Sequence, residues 1–547
     1  MRFSSATSFL TPPGSTWWWT SASSCRAFCS GWRRFDRDWK APLKNKAKPK
    51  PVQNVPQTDW LKRHITKCVD LLFFCLLIFP VIWIFSYQPS PIQDLPNHLA
   101  NAQILVRYHT VPLFQEYFSI HYSAYPYLLQ DFLLASLLYV SNVTLATQLF
   151  LSLVILIIPL SSFFFFKNID SRKSYLAFFS LPLAWNFLLF KGNFNYILGI
   201  GIFFINLTFL WKILISPISK KSQWLTLLIG IIILYFTHLV AFALFLFLSA
   251  IVFLYQYTHS HAERLRLWKI SLALFIVAVP LCAFYIQHFF PNNPQIQFSP
   301  FSVRIAQLGL LSTYFAKGDC IFFIPIIICP IVFILVLFFR TGYGKLPIVL
   351  CGALFYLYFF VPSEFFSLVR PQERVLYLLL FLLPVCLIGN NIVKYEKTIV
   401  IVSCLIVFFL AFSYFSKRAE RISRSLAAGR ELLQKLPEGK KVLPLWFAIP
   451  GYGRLSPWYN LSSYYVADRD GYVPILFSTE YMPVKYITHP LVSNYPSRID
   501  SVLLAGYDYL FIWGPNKPAE NLLLAEGYRL LFDYGRMGYK VYSAPGR

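Results

Sequence analysis

Residues 69–98 read VDLLFFCLLIFPVIWIFSYQPSPIQDLPNH. The stretch Val69–Tyr87 is almost wholly apolar and long enough, as a helix, to cross a hydrocarbon core of about 30 Å. Immediately beyond it the character turns polar, and Asp94-Leu95-Pro96-Asn97-His98 opens a loop extending to about Asn142 that also holds Glu116 and several tyrosines. A carboxylate and an imidazole set at a membrane surface, just past a first span, are suited to acid–base work in a membrane-embedded transferase.

The rest of the chain agrees with a membrane setting. Of 547 residues 57% are hydrophobic, 13% are charged and 55 are Phe. A soluble domain carries roughly twice that charged fraction. Runs such as Leu145–Phe166, Leu225–Tyr257 and Thr398–Phe415 recur along the sequence. Backbone in lipid must satisfy its own hydrogen bonds, so repeated apolar runs of this length specify a helical bundle.

The net charge of +25 does not indicate nucleic-acid binding, because residues 1–67 hold 13 Lys and Arg against 3 Asp and further basic residues sit in short loops between spans. That is the positive-inside pattern, with contact to anionic membrane lipid as its companion. Ten cysteines lie mostly in or beside apolar runs, at no spacing that suggests a metal site or a disulfide framework. They read as small hydrophobes. Residues 1–67 read as a basic cytoplasmic tail, rich in Ser, Trp and Arg and then in Lys and Pro, with no packed core and no functional role.

Keeping basic loops inside gives eleven spans, or up to thirteen, over residues 68–415. They are Val69–Tyr87, Leu145–Phe166, Tyr175–Phe190, Tyr196–Leu214, Trp224–Thr237, Leu239–Tyr257, Ile270–Phe289, Ile321–Phe339, Leu346–Val361, Val375–Gly389 and Thr398–Phe415. In this topology residues 88–142 form an outer loop, with Tyr127–Val140 lying along the outer surface. The C-terminal region emerges on the same side.

From residue 416 the pattern changes. Lys417–Leu436 is basic and helical, with Ile422, Leu426, Leu432 and Leu433 on one side. Strands are expected at Val442–Phe447, at Tyr464-Tyr465-Val466, at Tyr507–Trp513 and at Tyr539–Ser543, and a helix, interrupted by Gly527, at Glu520–Leu531. Together they make a small extracytoplasmic α/β domain over 416–547. Asp468 and Asp470, before Gly471, shape a turn or bind a metal.

Several polar elements fall on the outer face. Asp94 reads either as a general base or as the N-cap of a helix with Pro96 in its first turn. His98, four residues on, shares that helical face and would orient Asp94, bind a phosphate or serve packing. Arg370 and Arg374 also share a helical face, and their planar forks suit the phosphate of a polyprenyl carrier; pairing with Glu364 and Glu373 is the alternative. Lys317 is a further basic candidate. His238 stands at the outer end of a hairpin. Asn193 and Asn195 bind sugar hydroxyls or cap two helices.

An outer first loop opening Asp94-Leu95-Pro96-Asn97-His98, basic residues in a late outer loop and an extracytoplasmic C-terminal domain resemble the GT-C class of membrane glycosyltransferases. Within it the chain is most similar to bacterial relatives of the aminoarabinose and mannosyl transferases. The resemblance covers roughly residues 69–415. It implies a bacterial inner-membrane enzyme that takes a sugar from a polyprenyl-phosphate donor to a glycan, lipid or protein acceptor on the periplasmic side. On it, Asp94 matches the acid of the first loop and Arg370 or Arg374 the ligands of the donor phosphate. The second acidic motif of many members has no clear counterpart, Asp319 and Glu364 being the available residues. A divalent metal cofactor is therefore left open. A transporter or lipid flippase, expected to show internal repeats, and a non-catalytic envelope assembly protein are the competing readings.

Overall fold

The computed structural model describes residues 56–215, 220–259, 264–289, 296–308, 345–365, 368–388, 395–447, 455–477, 482–488, 490, 504, 506–514, 517–535 and 537–546. Among them six helices are long and apolar enough to cross a membrane: His64–Ser86, Val143–Ile169, Phe194–Leu214, Leu239–Thr258, Arg264–Phe289 and Glu396–Gln434. Their outward faces carry Leu71, Ile82, Leu272, Phe275, Ile406 and Leu410, all exposed. Such faces suit lipid, where apolar side chains need no cover. The protein is a polytopic helical membrane protein.

The eleven expected spans resolve unequally. Six of the runs correspond to these long helices. Two are shorter apolar helices, Lys221–Thr237 and Lys345–Phe360. Tyr175–Phe190 is no continuous helix but a 3-10 stretch Ser171–Phe179 followed by short helices Ser180–Ala184 and Phe187–Lys191. Pro182, which has no N–H to give, and Asn186, whose side chain caps the next helix, punctuate it. Val375–Gly389 is a helix Pro371–Leu382 that tightens into a 3-10 turn at Leu383–Leu387, where Pro384 falls. Ile321–Phe339 lies outside the described residues, as do Lys317 and Asp319 and the first 55 residues. The first helix begins at Pro56, inside the stretch read as tail.

The expected span Thr398–Phe415 and the expected helix Lys417–Leu436 are one helix of 39 residues, Glu396–Gln434. At 1.5 Å per residue it is about 58 Å long, far more than a bilayer core needs. Its C-terminal half buries Ile422, Leu426, Leu432 and Leu433, the stripe read from the sequence.

That half packs on a four-stranded sheet in which Val442–Trp446 runs parallel to Tyr509–Trp513, followed by antiparallel Tyr539–Ser543 and Arg529–Tyr534. Two expectations fail here. Tyr464-Tyr465-Val466 belongs to a helix, Tyr464–Arg469, entered from a 3-10 turn at Leu461–Ser463. All three residues are buried, so they lack the in–out alternation of a half-buried strand. The helix expected over Glu520–Leu531 stops at Ala525, because Gly527 adopts φ +84° and turns the chain into the strand Arg529–Tyr534.

The outer loop and the C-terminal region are joined. Phe118–Ile120 pairs antiparallel with Val484–Tyr486. Asp470 accepts a hydrogen bond from Gln103 at 2.8 Å and pairs with Arg107 at 3.3 Å. Strand pairing requires both partners on the same side of a membrane, as the sequence topology has them.

Candidate functional site

Asp94 stands at the entrance of the helix Leu95–Arg107, with proline in the first turn. Its carboxylate makes no capping bond. It turns instead toward a short helix, Phe187–Lys191, which has its own caps: Asn186 accepts from Leu189 N–H at 3.1 Å, and Gly192 closes the other end in the left-handed region. Two main-chain bonds tie the segments together, from Gln93 N–H to Phe190 C=O at 2.9 Å and from Asp94 N–H to Lys191 C=O at 3.2 Å.

This docking brings Lys191 Nζ to 3.7 Å from Asp94 Oδ2. Asp94 Oδ1 accepts from Gln93 Nε2 at 3.3 Å and from Asn460 Nδ2 at 3.0 Å. The side chain is nearly fully enclosed, and burial pushes its carboxyl up from 3.8 to about 6, against the pull of Lys191 and of the two amide donors. A carboxylate whose proton affinity approaches neutrality is suited to accept a proton from a hydroxyl or amine.

His98 does not touch this carboxylate through its ring. Its Nδ1 lies 2.6 Å from Gln130 Nε2, and its Nε2 lies 3.2 Å from Gly192 C=O. An amide N–H needs an acceptor and a carbonyl needs a donor, so the ring is neutral with its proton on Nε2. Burial holds it down at about 4. His98 thereby pins the Lys191-Gly192 turn. Gln130 continues the chain of bonds, its Oε1 accepting from Asn195 N–H at 3.1 Å.

Asn195 and Tyr196 open the helix Phe194–Ile215, and Asn193 C=O accepts from Tyr196 N–H just before it. The Oδ1 of Asn195 is buried with no hydrogen-bond partner among the described residues. The Tyr196 hydroxyl donates to Arg374 C=O. Its ring meets His238 edge-on at 4.9 Å, and Tyr127 does the same from the other side. His238 Nδ1 accepts from Val240 N–H and Ala241 N–H, so this histidine caps the helix Leu239–His259.

Arg370 is itself in the left-handed region, at φ +55°, and begins the helix Pro371–Leu382. It pairs loosely with Glu373 at 3.8 Å and keeps its side chain half exposed. Arg374 donates to Arg370 C=O at 3.3 Å. Between them Gln372 is fully buried, and neither atom of its amide has a hydrogen-bond partner among the described residues. Sequence reading passed over Gln372, Lys191 as an individual residue, Gln130 and Asn460.

The structure therefore brings Asp94, His98, Asn195, His238 and Arg374 into one connected set of contacts. Asn460 is its most distant member in sequence, since it belongs to the C-terminal region. Ser456 N–H bonds Gln93 Oε1 at 2.9 Å, and Ser463 Oγ bonds Asn97 Oδ1 at 2.6 Å, on either side of it. Among the described residues no group of three or more His, Cys, Asp or Glu is arranged to hold a metal ion. Asp468 and Asp470 are engaged with Arg430 and Arg107.

No protein-family model matches this chain, and no curated protein does. Solved structures do. ArnT from Cupriavidus metallidurans in the apo state superposes with a TM-score of 0.53 at 12% identity, covering 86% of this chain and 97% of that one. The same protein bound to undecaprenyl phosphate gives a TM-score of 0.51, again at 12% identity, covering 89% of this chain and 98% of that one. ArnT is a GT-C glycosyltransferase, and the likeness extends over membrane helices and C-terminal region together: the chain has a GT-C-like membrane fold.

Proposed function

We propose that this protein is a membrane glycosyltransferase that takes a sugar from a polyprenyl-phosphate donor and passes it to an envelope acceptor on the outer face of a bacterial inner membrane. One observation carries the reading. On a GT-C-like fold, the acid of the first loop is buried, free of any capping duty and raised to about 6.

In this reading Asp94 removes the proton from the acceptor's hydroxyl or amine. The freed lone pair attacks the anomeric carbon, and the bond from that carbon to the carrier phosphate breaks. A single in-line displacement inverts the anomeric configuration and needs one base. Arg370 and Arg374 receive the charge that collects on the departing phosphate, with Lys317, outside the described residues, as a further cation. Lys191 keeps Asp94 ionised between turnovers. His98 is a positioning residue, fixing the turn that presents Lys191. Asn193, Asn195, Gln372 and His238 face sugar or carrier hydroxyl and phosphate oxygens. The apolar spans shelter the prenyl tail.

The test compares envelope glycans and lipids in strains lacking the gene, complemented with wild type, or complemented with Asp94→Asn, with membrane levels of the protein matched. A glycan lost on deletion, restored by wild type and not by Asp94→Asn, supports the transferase and names the sugar. Equal restoration by both forms overturns it in favour of a transport or assembly role.

A further inference from the structure

The C-terminal region lies far from Asp94 in sequence, yet it sends one side chain onto it. Asn460 Nδ2 is 3.0 Å from Asp94 Oδ1 and 3.1 Å from Gln93 C=O. Both partners are acceptors, so the amide nitrogen must be the atom that faces them. Its oxygen is thereby fixed on the other side. That Oδ1 is buried and has no hydrogen-bond partner among the described residues, in a residue only 1% exposed.

A buried, unpartnered amide oxygen is costly in an empty site. A donor bound there removes the cost. It stands on the same side chain that orients the carboxylate, so one acceptor molecule could give an N–H or O–H to Asn460 and a different proton, that of its attacking group, to Asp94. We infer that Asn460 is an acceptor-binding residue: its amide nitrogen donates to the Asp94 carboxylate and to Gln93 C=O, while its Oδ1 accepts from a second N–H or O–H of the acceptor, beside the group whose proton goes to Asp94. This deepens, and rests on, the transferase reading above. It also makes the C-terminal region part of the site rather than an appendage. The bonds from Ser456 and Ser463 on either side fix the segment's register against the helix Leu95–Arg107.

Among the described residues the other ionisable groups around Asp94 are Lys191, Tyr459 and His98. None of them is changed by substituting Asn460, so a shift at Asp94 in such a variant reports the lost amide.

The experiment uses the full-length protein in lipid nanodiscs. Dicyclohexylcarbodiimide attacks protonated carboxyls, and peptide mass spectrometry follows labelling of Asp94 against pH. In Asn460→Leu the labelling midpoint should rise by about one pH unit, because a donor that favoured the charged form is gone. In Asn460→Asp it should rise further, because a second carboxylate then adjoins the first. Ser463→Ala, which loosens the same segment without touching Asp94, should leave it in place. In the deletion strain Asn460→Leu should fail to restore the glycan, whereas Ser463→Ala restores it. An unmoved midpoint with full complementation in a folded Asn460→Leu overturns the inference. A wild-type protein that restores no glycan, with the midpoint still moved, overturns the transferase reading and not the Asn460–Asp94 contact.

Discussion

A β-carbon at position 192 would lie 2.8 Å from the Asp94 β-carbon, closer than side-chain carbons approach one another, and Gly192 also adopts φ +98°. Only glycine satisfies both conditions. The turn after Lys191 is thus shaped to let the carboxylate-bearing segment dock against it.

Gly192→Ala is therefore expected to displace Asp94 as well as strain the backbone. The strain alone costs about 1–3 kcal/mol, and the displacement should reduce transfer by about a hundredfold. Gly439, at φ +63° with open space around it, supplies the control. Gly439→Ala should destabilise without lowering transfer per folded molecule. Thermal unfolding in detergent, measured beside transfer in membranes, separates the two.

The buried carboxylate of Asp94 should limit activity at low pH. With its pKa at about 6, transfer should fall as pH drops through 6. The same shift has a stability consequence of opposite sense. The folded state holds the proton more tightly than the unfolded chain, so stability declines as pH rises from 3.8 to about 6 and stays lower above it. The shift corresponds to about 3 kcal/mol. Asp94→Asn should then be inactive yet as stable as wild type or more so at pH 7, and less favoured relative to wild type near pH 4. Melting temperatures across pH check this.

His98 is held down at about 4 and so stays neutral across the working range. His98→Ala should leave the Gly192 carbonyl and the Gln130 amide without partners, at about 1–3 kcal/mol. Transfer should drop, but the acid limb near pH 6 should stay where it is. A limb that moves with His98 would make the histidine a proton carrier instead.

Arg430 and Asp468 form a bidentate pair, both bonds at 2.6 Å, with little side-chain exposure, between the long helix and the C-terminal region. Arg430→Ala takes the guanidinium from a buried carboxylate that keeps only a neutral donor, the Gln434 amide at 3.0 Å, among the described residues, and should cost about 3 kcal/mol. Asp468→Asn should be milder, since the guanidinium also lies 4.5 Å over the Tyr464 ring. Because this interface carries Asn460, Arg430→Ala should also lower transfer. Limited proteolysis of the C-terminal region would show the loosened interface directly.

Arg370→Gln and Arg374→Gln should both weaken donor use, by about tenfold or more each. Arg374 should be the more sensitive, because the Tyr196 hydroxyl bonds to its main chain and holds it in place. Donor titration in membranes reads this as a raised half-saturating concentration with little change in the pH limb.

The membrane character, the polar turn led by Asp94 after the first long helix, and the buried stripe of the helix after residue 416 were legible in sequence. Each rests on local information: run length, the switch from apolar to polar, and 3.6-residue spacing. Tyr175–Phe190 was misread as one continuous helix because its breaks come from Pro182 and the capping Asn186, whose effect depends on neighbours. Tyr464-Tyr465-Val466 was misread as a strand because aromatic and β-branched residues favour strands, whereas burial on every side decided for helix.

By itself the sequence determined that this is a multi-span helical membrane protein with a carboxylate and a histidine beyond its first span, since a 30 Å apolar slab imposes length and composition on any chain that crosses it. Only the tertiary structure decided that Asp94 meets Lys191 and Asn460 rather than capping its own helix, and that His98 serves the Gly192 turn. Partners 94 and 366 residues apart leave no periodic trace in a sequence, because their meeting depends on how separate helices pack.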